Sequence, residues 1–254
     1  MSNVTHLPTP APREREQHPA GGGLLPFVEA FGNTIQGEGP ASGRVADFLR
    51  FGGCNLSCSW CDSAYTWNSE EYNLREQITL LDVDGLMERL PPNPAPIMVV
   101  TGGEPLLNQR KAAFLEVLEL LRVRGQQVHV ETNGTILPTQ AVAELVDLFI
   151  VSPKLPHAGL HKRSQDPSLV QGWMERAPGA HMKVVVRNAE DVQLTAGTAV
   201  RYGWPLEQTW VMPEGVTSEV LNARWPEVAT AAAQWGVNAC HRLHVLAWND
   251  VRGH

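Results

Sequence analysis

The 254-residue chain carries 27 acidic against 20 basic side chains, a formal net charge of −7, with 43% apolar residues and four cysteines. The apolar share is enough for a sizeable core in one large domain or two small ones, while the acidic balance argues against the basic face of a nucleic-acid binder. No apolar run reaches the length of a membrane span and no apolar stretch of signal-peptide type follows Met1, so a cytoplasmic enzyme is expected.

In chain order, residues 1–23 are rich in Pro, Gly, Glu and Arg, lack apolar periodicity, and are expected to be a disordered leader before a single domain over 24–254. Residues 45–51 read as a strand ending near Arg50, and Gly52-Gly53 lead directly into Cys54. Between 64 and 80 elements are hard to place. Residues 79–90 show helical spacing through Val83, Leu86, Met87 and Leu90, stopped by Pro91-Pro92. Strands at 97–100, 128–130 and 149–151 alternate with helices at 112–124 and 141–146, and further strands are expected at 182–186 and 208–212. Residues 218–235 are helix-rich with an interruption at Pro226, and 243–248 read as a last strand. Alternating βα units argue for a parallel sheet. With about six core strands, too few for a closed eight-stranded barrel, the expectation is an α/β fold of the partial, open (β/α) barrel kind.

The densest chemistry is Cys54-Asn55-Leu56-Ser57-Cys58-Ser59-Trp60-Cys61, three of the four cysteines within one short loop. Soft thiolates favour zinc, copper(I) or an iron–sulfur cluster. A structural zinc site pairs its cysteines two by two, and no second pair exists here. Disulfides between cysteines this close would close strained loops and need an oxidising compartment. A [4Fe–4S] cluster held by Cys54, Cys58 and Cys61, with one iron left open and Cys240 uninvolved, is the preferred reading.

Small polar and charged clusters follow the early strands, where α/β folds place their sites. In Thr101-Gly102-Gly103-Glu104-Pro105 the glycines let backbone approach a ligand and the carboxylate suits an amino group; the plain alternative is a strand-to-helix turn. Glu131 and Ser152 could meet hydroxyl groups and Lys154 a carboxylate, although a lysine facing solvent is commoner. Gln36 and Glu38 lie in a glycine-bracketed turn that is either a plain surface turn or a pair of side chains aimed into a cavity. Asp62 and Ser63, just after the last cysteine, could hold a hard cation. His129, His157, His161 and His181 are read as ordinary strand or loop residues.

The CxxxCxxC loop with the Gly-Gly-Glu-Pro segment resembles the signature of the radical S-adenosylmethionine superfamily. Gln36-Gly37-Glu38-Gly39, Asp62-Ser63, Glu131-Thr132-Asn133-Gly134 and Ser152-Pro153-Lys154 are similar to segments of one family within it, the 7-carboxy-7-deazaguanine synthases. The resemblance implies ring contraction of 6-carboxy-5,6,7,8-tetrahydropterin to 7-carboxy-7-deazaguanine with release of ammonia, S-adenosylmethionine being used catalytically. It further implies that Gln36 and Glu38 hold the pterin's amidine edge and Arg50 its carboxylate. Gly102, Gly103, Glu104, Glu131, Ser152 and Lys154 would bind S-adenosylmethionine, and Ser63 would bind Mg2+, with Asp62 helping. A homodimer and an external electron donor such as flavodoxin or ferredoxin are implied as partners. The stretch from Cys240 to Trp248 matches the family's Gln-x-His-Lys ending only loosely, with His244 aligned and no lysine after it, and no substrate contact is assigned to it. The rival reading is an activase that installs a glycyl radical on a partner protein; the Gln36, Glu38 and Arg50 set argues for a small polar ring instead.

Overall fold

The computed structural model describes residues 23–159, 166–249 and 251–253. The leader expected at 1–23 therefore lies, but for Gly23, outside the described residues, as does His161. Among the described residues nine strands form one open sheet: β1 (Leu25–Ile35), β2 (Val45–Phe51), β3 (Thr79–Leu81), β4 (Ile97–Gly102), β5 (Gln127–Thr132), β6 (Leu148–Val151), β7 (His181–Val186), β8 (Thr209–Pro213) and β9 (Asn238–Ala239), in the order β3-β1-β2-β4-β5-β6-β7-β8-β9. From β2 to β9 every pairing is parallel, whereas β1 joins β2 and β3 antiparallel. The six expected core strands are all present, and the sheet is the open, mostly parallel one of a partial barrel.

Eight α-helices of the described residues connect or flank the strands: α1 (Leu74–Gln77), α2 (Val83–Met87), α3 (Ala112–Val123), α4 (Gln140–Leu145), α5 (Pro167–Arg176), α6 (Ala189–Tyr202), α7 (Ser218–Trp235) and α8 (Leu243–Trp248). None of the described helices is long and apolar enough to cross a membrane. The period of two along each strand decides what faces what. Leu49, Phe51, Met98, Val100, Val128, Val130, Phe149, Val151, Met182, Val184 and Val186 join the main core with Phe114, Val117 and Leu121 of α3, Val192 and Ala196 of α6 and Val228 of α7. Each such side chain taken fully from water contributes about 1.5–3 kcal/mol. The intervening residues, Arg50, Thr101, Glu131, Ile150, Lys183, Val185 and Met212, point to the other face and line a cavity of about 540 Å³. Ala41, Ala46, Ile97 and Val99, with Phe48 against them, form a smaller apolar cluster on that same face.

Three sequence expectations change. Residues 79–81 are strand rather than helix: they pair with β1, and the Asp82 carboxylate accepts the Gly85 N–H at 2.9 Å, so the helix starts at Val83. Pro226 does not interrupt α7, which runs through it. Leu221 on one side of the proline and Val228, Ala231 and Ala232 on the other are buried, and that packing offsets the roughly 3 kcal/mol cost of an interior proline. Residues 243–248 are helix, not strand. The two-residue β9 takes the ladder position beside β8, and the chain then turns so that the Leu243 N–H reaches the Gly37 carbonyl at 3.0 Å.

That last bond has an architectural consequence. The loop after β1 crosses the open side of the half-barrel to the opposite edge, where Gly39 N–H donates to Cys240 Sγ at 3.1 Å. Gly37 packs so tightly on α8 that a Cβ there would lie 2.0 Å from His244 Nδ1. Gln36 and Glu38 are thus carried over the cavity, and the C-terminal segment is brought against them.

Candidate active site

The cysteine loop is anchored by backbone. The Gly103 N–H donates to the Phe51 carbonyl at 3.0 Å and the Glu104 N–H to the Gly53 carbonyl at 2.8 Å, docking the turn after β4 on the turn after β2. A Cβ on Gly103 would lie 2.1 Å from Gly53 O, and one on Gly102, whose φ is 145°, 2.1 Å from Phe51 O. Only glycine fits at either position.

Cys54, Cys58 and Cys61 all line the cavity. Leu56 N–H donates to Cys54 Sγ at 3.4 Å and Trp67 Nε1–H to Cys61 Sγ at 3.4 Å. Burial pushes the Cys54 thiol up to about 11 and the Cys58 thiol upward as well, so a soft metal that replaces their protons is what makes them thiolates. Cys240 is buried away from them against Gly39. Three cavity-facing thiols, two of them with N–H donors on their sulfurs, suit three corners of an iron–sulfur cluster.

Glu104 departs from its expected place. It is fully buried and does not line the cavity. One oxygen accepts from Leu106 N–H at 2.9 Å, the other from Asn133 N–H at 2.7 Å, and both accept from Thr132 Oγ1. Burial pushes its carboxyl up to about 7 against the pull of those donors. Its observed work is to lock the turns after β4 and β5 together. Gly102 and Gly103 remain on the cavity surface, as do Ser152 and Lys154, whose Nζ donates to Ser152 Oγ at 2.9 Å and lies 5.5 Å from the Trp60 ring centre.

Two charged groupings face each other across the cavity. On the β5–β7 side, Lys183 Nζ is held between Glu38 and Glu131, the latter at 3.2 Å. Gln36 Nε2 donates to Glu131 Oε1 at 3.3 Å and Thr101 Oγ1 to Oε2 at 3.2 Å. Arg242 spends all three guanidinium nitrogens: Nε on Glu38 at 2.9 Å, Nη1 on the Gly215 carbonyl at 2.6 Å and Nη2 on Asp62. Burial works against the charge on Glu38, yet Lys183 and Arg242 beside it hold its carboxyl well below the usual carboxylate range. Lys183, buried between two carboxylates, is held above the ordinary lysine range despite desolvation.

On the β1–β2 side, Arg50, expected to meet a substrate carboxylate, is held by a carboxylate of the chain itself. Its Nε donates to Glu29 Oε1 at 2.8 Å. Tyr65 Oη donates to the same oxygen at 2.9 Å, and Arg252 pairs with Oε2. Ser63 lines the cavity with its Oγ 3.7 Å from Cys61 Sγ, and Asp62 is committed to Arg242.

Sequence reading missed Lys183, Arg242, Glu29 and Tyr65, and it assigned no substrate contact to the C-terminal segment, from which Arg242 and His244 line the cavity. Lys183 had a signal, a lone cation inside the apolar run of β7. The others had none. His157 and His181 lie outside the cavity lining, as expected of them.

A pH dependence follows from Glu38. A carboxyl whose pKa is depressed on folding contributes stability above its unfolded value of about 4.3 and loses it as pH falls through the folded one. The thermal-stability gap between the parent and Glu38→Gln is therefore expected to be full at neutral pH and to shrink below about pH 4. A gap that stays constant to pH 3 would show that Glu38 gains nothing from its cations.

Residues 49–216 match the radical SAM superfamily. The chain is 34% identical to a 7-carboxy-7-deazaguanine synthase of Pyrobaculum aerophilum, over 87% of this chain and 93% of that protein. It is 36% identical to the Hyperthermus butylicus enzyme of the same name, over 88% and 92%, and 29% identical to that of Bacillus subtilis, over 90% and 98%. Among solved structures, QueE from Escherichia coli aligns with a TM-score of 0.59 at 22% identity, covering 87% of this chain and 95% of that one. Streptococcus suis SuiB bound to S-adenosylmethionine aligns at 0.51 and 13% identity, covering 76% and 51%. The two structural likenesses speak to the fold.

Proposed function

The chain belongs to the 7-carboxy-7-deazaguanine synthase family of the radical SAM superfamily, and from that we propose that it contracts 6-carboxy-5,6,7,8-tetrahydropterin to 7-carboxy-7-deazaguanine with release of ammonia. The observation that carries the reading is the charge division of the cavity. On the β5–β7 side the carboxylates of Glu38 and Glu131 line the cavity with the cations Lys183 and, after β6, Lys154, while Arg242 bridges Glu38 to Asp62 of the cysteine loop. On the β1–β2 side two guanidiniums, Arg50 and Arg252, share the single carboxylate of Glu29. The first side offers the Glu38 and Glu131 carboxylates as acceptors, and the second offers guanidinium N–H donors. A carboxypterin is divided in the same way, with N–H donors along its pyrimidine edge and a carboxylate at C6.

In this reading Cys54, Cys58 and Cys61 hold the [4Fe–4S] cluster of a radical SAM enzyme. The backbone at Gly102 and Gly103 receives the amino group of S-adenosylmethionine, with Ser152 and Lys154 nearby for its hydroxyl and carboxylate groups, and Glu104 supports them from behind. Hydrogen-atom abstraction is the chemistry that a reduced cluster with bound S-adenosylmethionine supplies. The chain's own residues orient: Glu38, with Gln36 beside it, accepts from the pyrimidine edge, and Arg50 donates to the carboxylate. Glu131, already held by Lys183, Gln36 and Thr101, forms the floor between them. Ser63 would offer its hydroxyl, a modest ligand, to Mg2+, which would supply positive charge toward the substrate carboxylate. A flavodoxin- or ferredoxin-type donor, a homodimer and a reducing cytoplasm complete the reading.

The test is an anaerobic assay of the reconstituted protein with reductant, S-adenosylmethionine and the carboxypterin. The expected result is 7-carboxy-7-deazaguanine and ammonia in equal amounts, without net loss of S-adenosylmethionine. Cleavage of S-adenosylmethionine with the pterin untouched would overturn the reading in favour of an activase. Added magnesium is expected to stimulate turnover several-fold in the parent and much less in Ser63→Ala; a rate unaffected by stripping divalent ions removes Ser63 from that role.

A further inference from the structure

The C-terminal tail after α8 enters the cavity: Asn249, Val251, Arg252 and Gly253 are part of its lining. Arg252 is set there by three contacts on separate elements. Its Nε pairs with Glu29 Oε2, its Nη1 donates to Gln77 Oε1 at 2.9 Å, and its guanidinium carbon lies 4.2 Å from the Tyr65 ring centre. The stacked, partly desolvated guanidinium is stiff for a surface arginine.

The three cavity arginines differ in what they have left to give. Arg242 has committed every nitrogen to protein oxygens. Arg50 has committed only Nε, so among the described residues its two Nη groups have no acceptor, and Arg252 likewise keeps Nη2. A single carboxylate, Glu29, therefore stands between two guanidiniums that retain unspent donors, and both line the cavity. Both side chains keep N–H donors open to the cavity, the Arg50 side chain at 17% exposure and the Arg252 side chain at 44%, and a planar carboxylate is the acceptor that best fits their geometry.

We propose that Arg252 is a second substrate-carboxylate residue, closing with Arg50 on the carboxylate of the ligand so that the C-terminal tail forms one wall of the binding site. This rests on the proposed carboxypterin reading and assigns to it a specificity residue 202 positions from Arg50 in the chain. Glu29, with one oxygen on each, holds the two guanidiniums near one another and offsets their mutual repulsion when no ligand is bound. Asp62 is hydrogen-bonded to Arg242. Arg252 acts on binding and orientation, not on the reacting atoms.

The experiment measures equilibrium binding of two probes, 6-carboxytetrahydropterin and 6-methyltetrahydropterin, to the reconstituted full-length parent, Arg252→Ala and Arg252→Lys, with iron content and S-adenosylmethionine binding as controls. The expected result is a loss of roughly 10- to 100-fold for the carboxypterin with Arg252→Ala, as for one charge-assisted contact. The methylpterin should change by less than about twofold, and Arg252→Lys should recover part of the loss. Controls should be unchanged, since Arg252 touches none of the cysteines. Equal weakening of both pterins, or no weakening of either, overturns the assignment of Arg252 while leaving the proposed function intact. Binding of neither pterin by the parent overturns both together.

Discussion

Cys58→Ala, reconstituted anaerobically, is expected to hold no intact [4Fe–4S] cluster and to fall to background turnover, as are Cys54→Ala and Cys61→Ala, while Cys240→Ala keeps both. The three thiols share the cavity wall, and their loop is fixed by backbone bonds between the turns after β2 and β4. With that anchorage intact, each alanine removes one corner of the cluster and little else. Cys58 is the most telling member, because Lys154 is near enough to favour its thiolate while burial and Cys61 oppose it. Cluster assembly should accordingly release protons and proceed better at mildly alkaline pH. Cys240 accepts only from the Gly39 N–H within a buried apolar patch with Val185 and Met212, so alanine there costs a hydrogen bond and some packing but no iron. Iron and sulfide per chain, with the visible absorption of the cluster, make the measurement. Full iron content in Cys58→Ala, or its loss in Cys240→Ala alone, contradicts the assignment.

The second large effect concerns Lys183, which neither motif nor resemblance singled out. Lys183→Met should destabilise the chain by about 3–5 kcal/mol, because it leaves Glu38 and Glu131 facing each other in a buried site without the cation between them. Turnover should fall by at least about a hundredfold, since Glu38, left with Arg242 and repelled by Glu131, is no longer held where it accepts from a pyrimidine edge. Combining Lys183→Met with Glu38→Gln removes the stranded charge, and much of the lost stability should return, while turnover remains low because the recognising carboxylate is gone. Chemical denaturation and steady-state rates on the parent, both single variants and the double variant close the cycle. If the double variant is no more stable than Lys183→Met, the cost lies in packing and not in the charge.

The glycines illustrate why some of this chemistry was legible in advance. Gly102 and Gly103 are needed because two turns touch backbone to backbone, and such a need leaves a local mark in the chain. The same holds for the cysteines, whose ligand geometry is a matter of a few residues' spacing. Arg50 lies between: its strand and its facing were readable from period two, but its engagement with Glu29 was not, because that bond depends on β1 pairing antiparallel beside β2.

By itself, then, the sequence determined the βα alternation, the cluster loop and the small polar segments that end the strands, because all of these arise from interactions among near neighbours. It could not separate strand from helix at Leu243–Trp248, where a short apolar run satisfies either period and the choice fell to a bond with Gly37. Nor could it show the charge division of the cavity. Glu38 meets Lys183 across 145 positions and Arg242 across 204, and Glu29 meets Arg252 across 223. Those partners are chosen by the strand order of the sheet and by the loop that spans its open side. A charge's partner, and so its pKa and its spare donors, is a property of what the tertiary fold places beside it once water has been excluded.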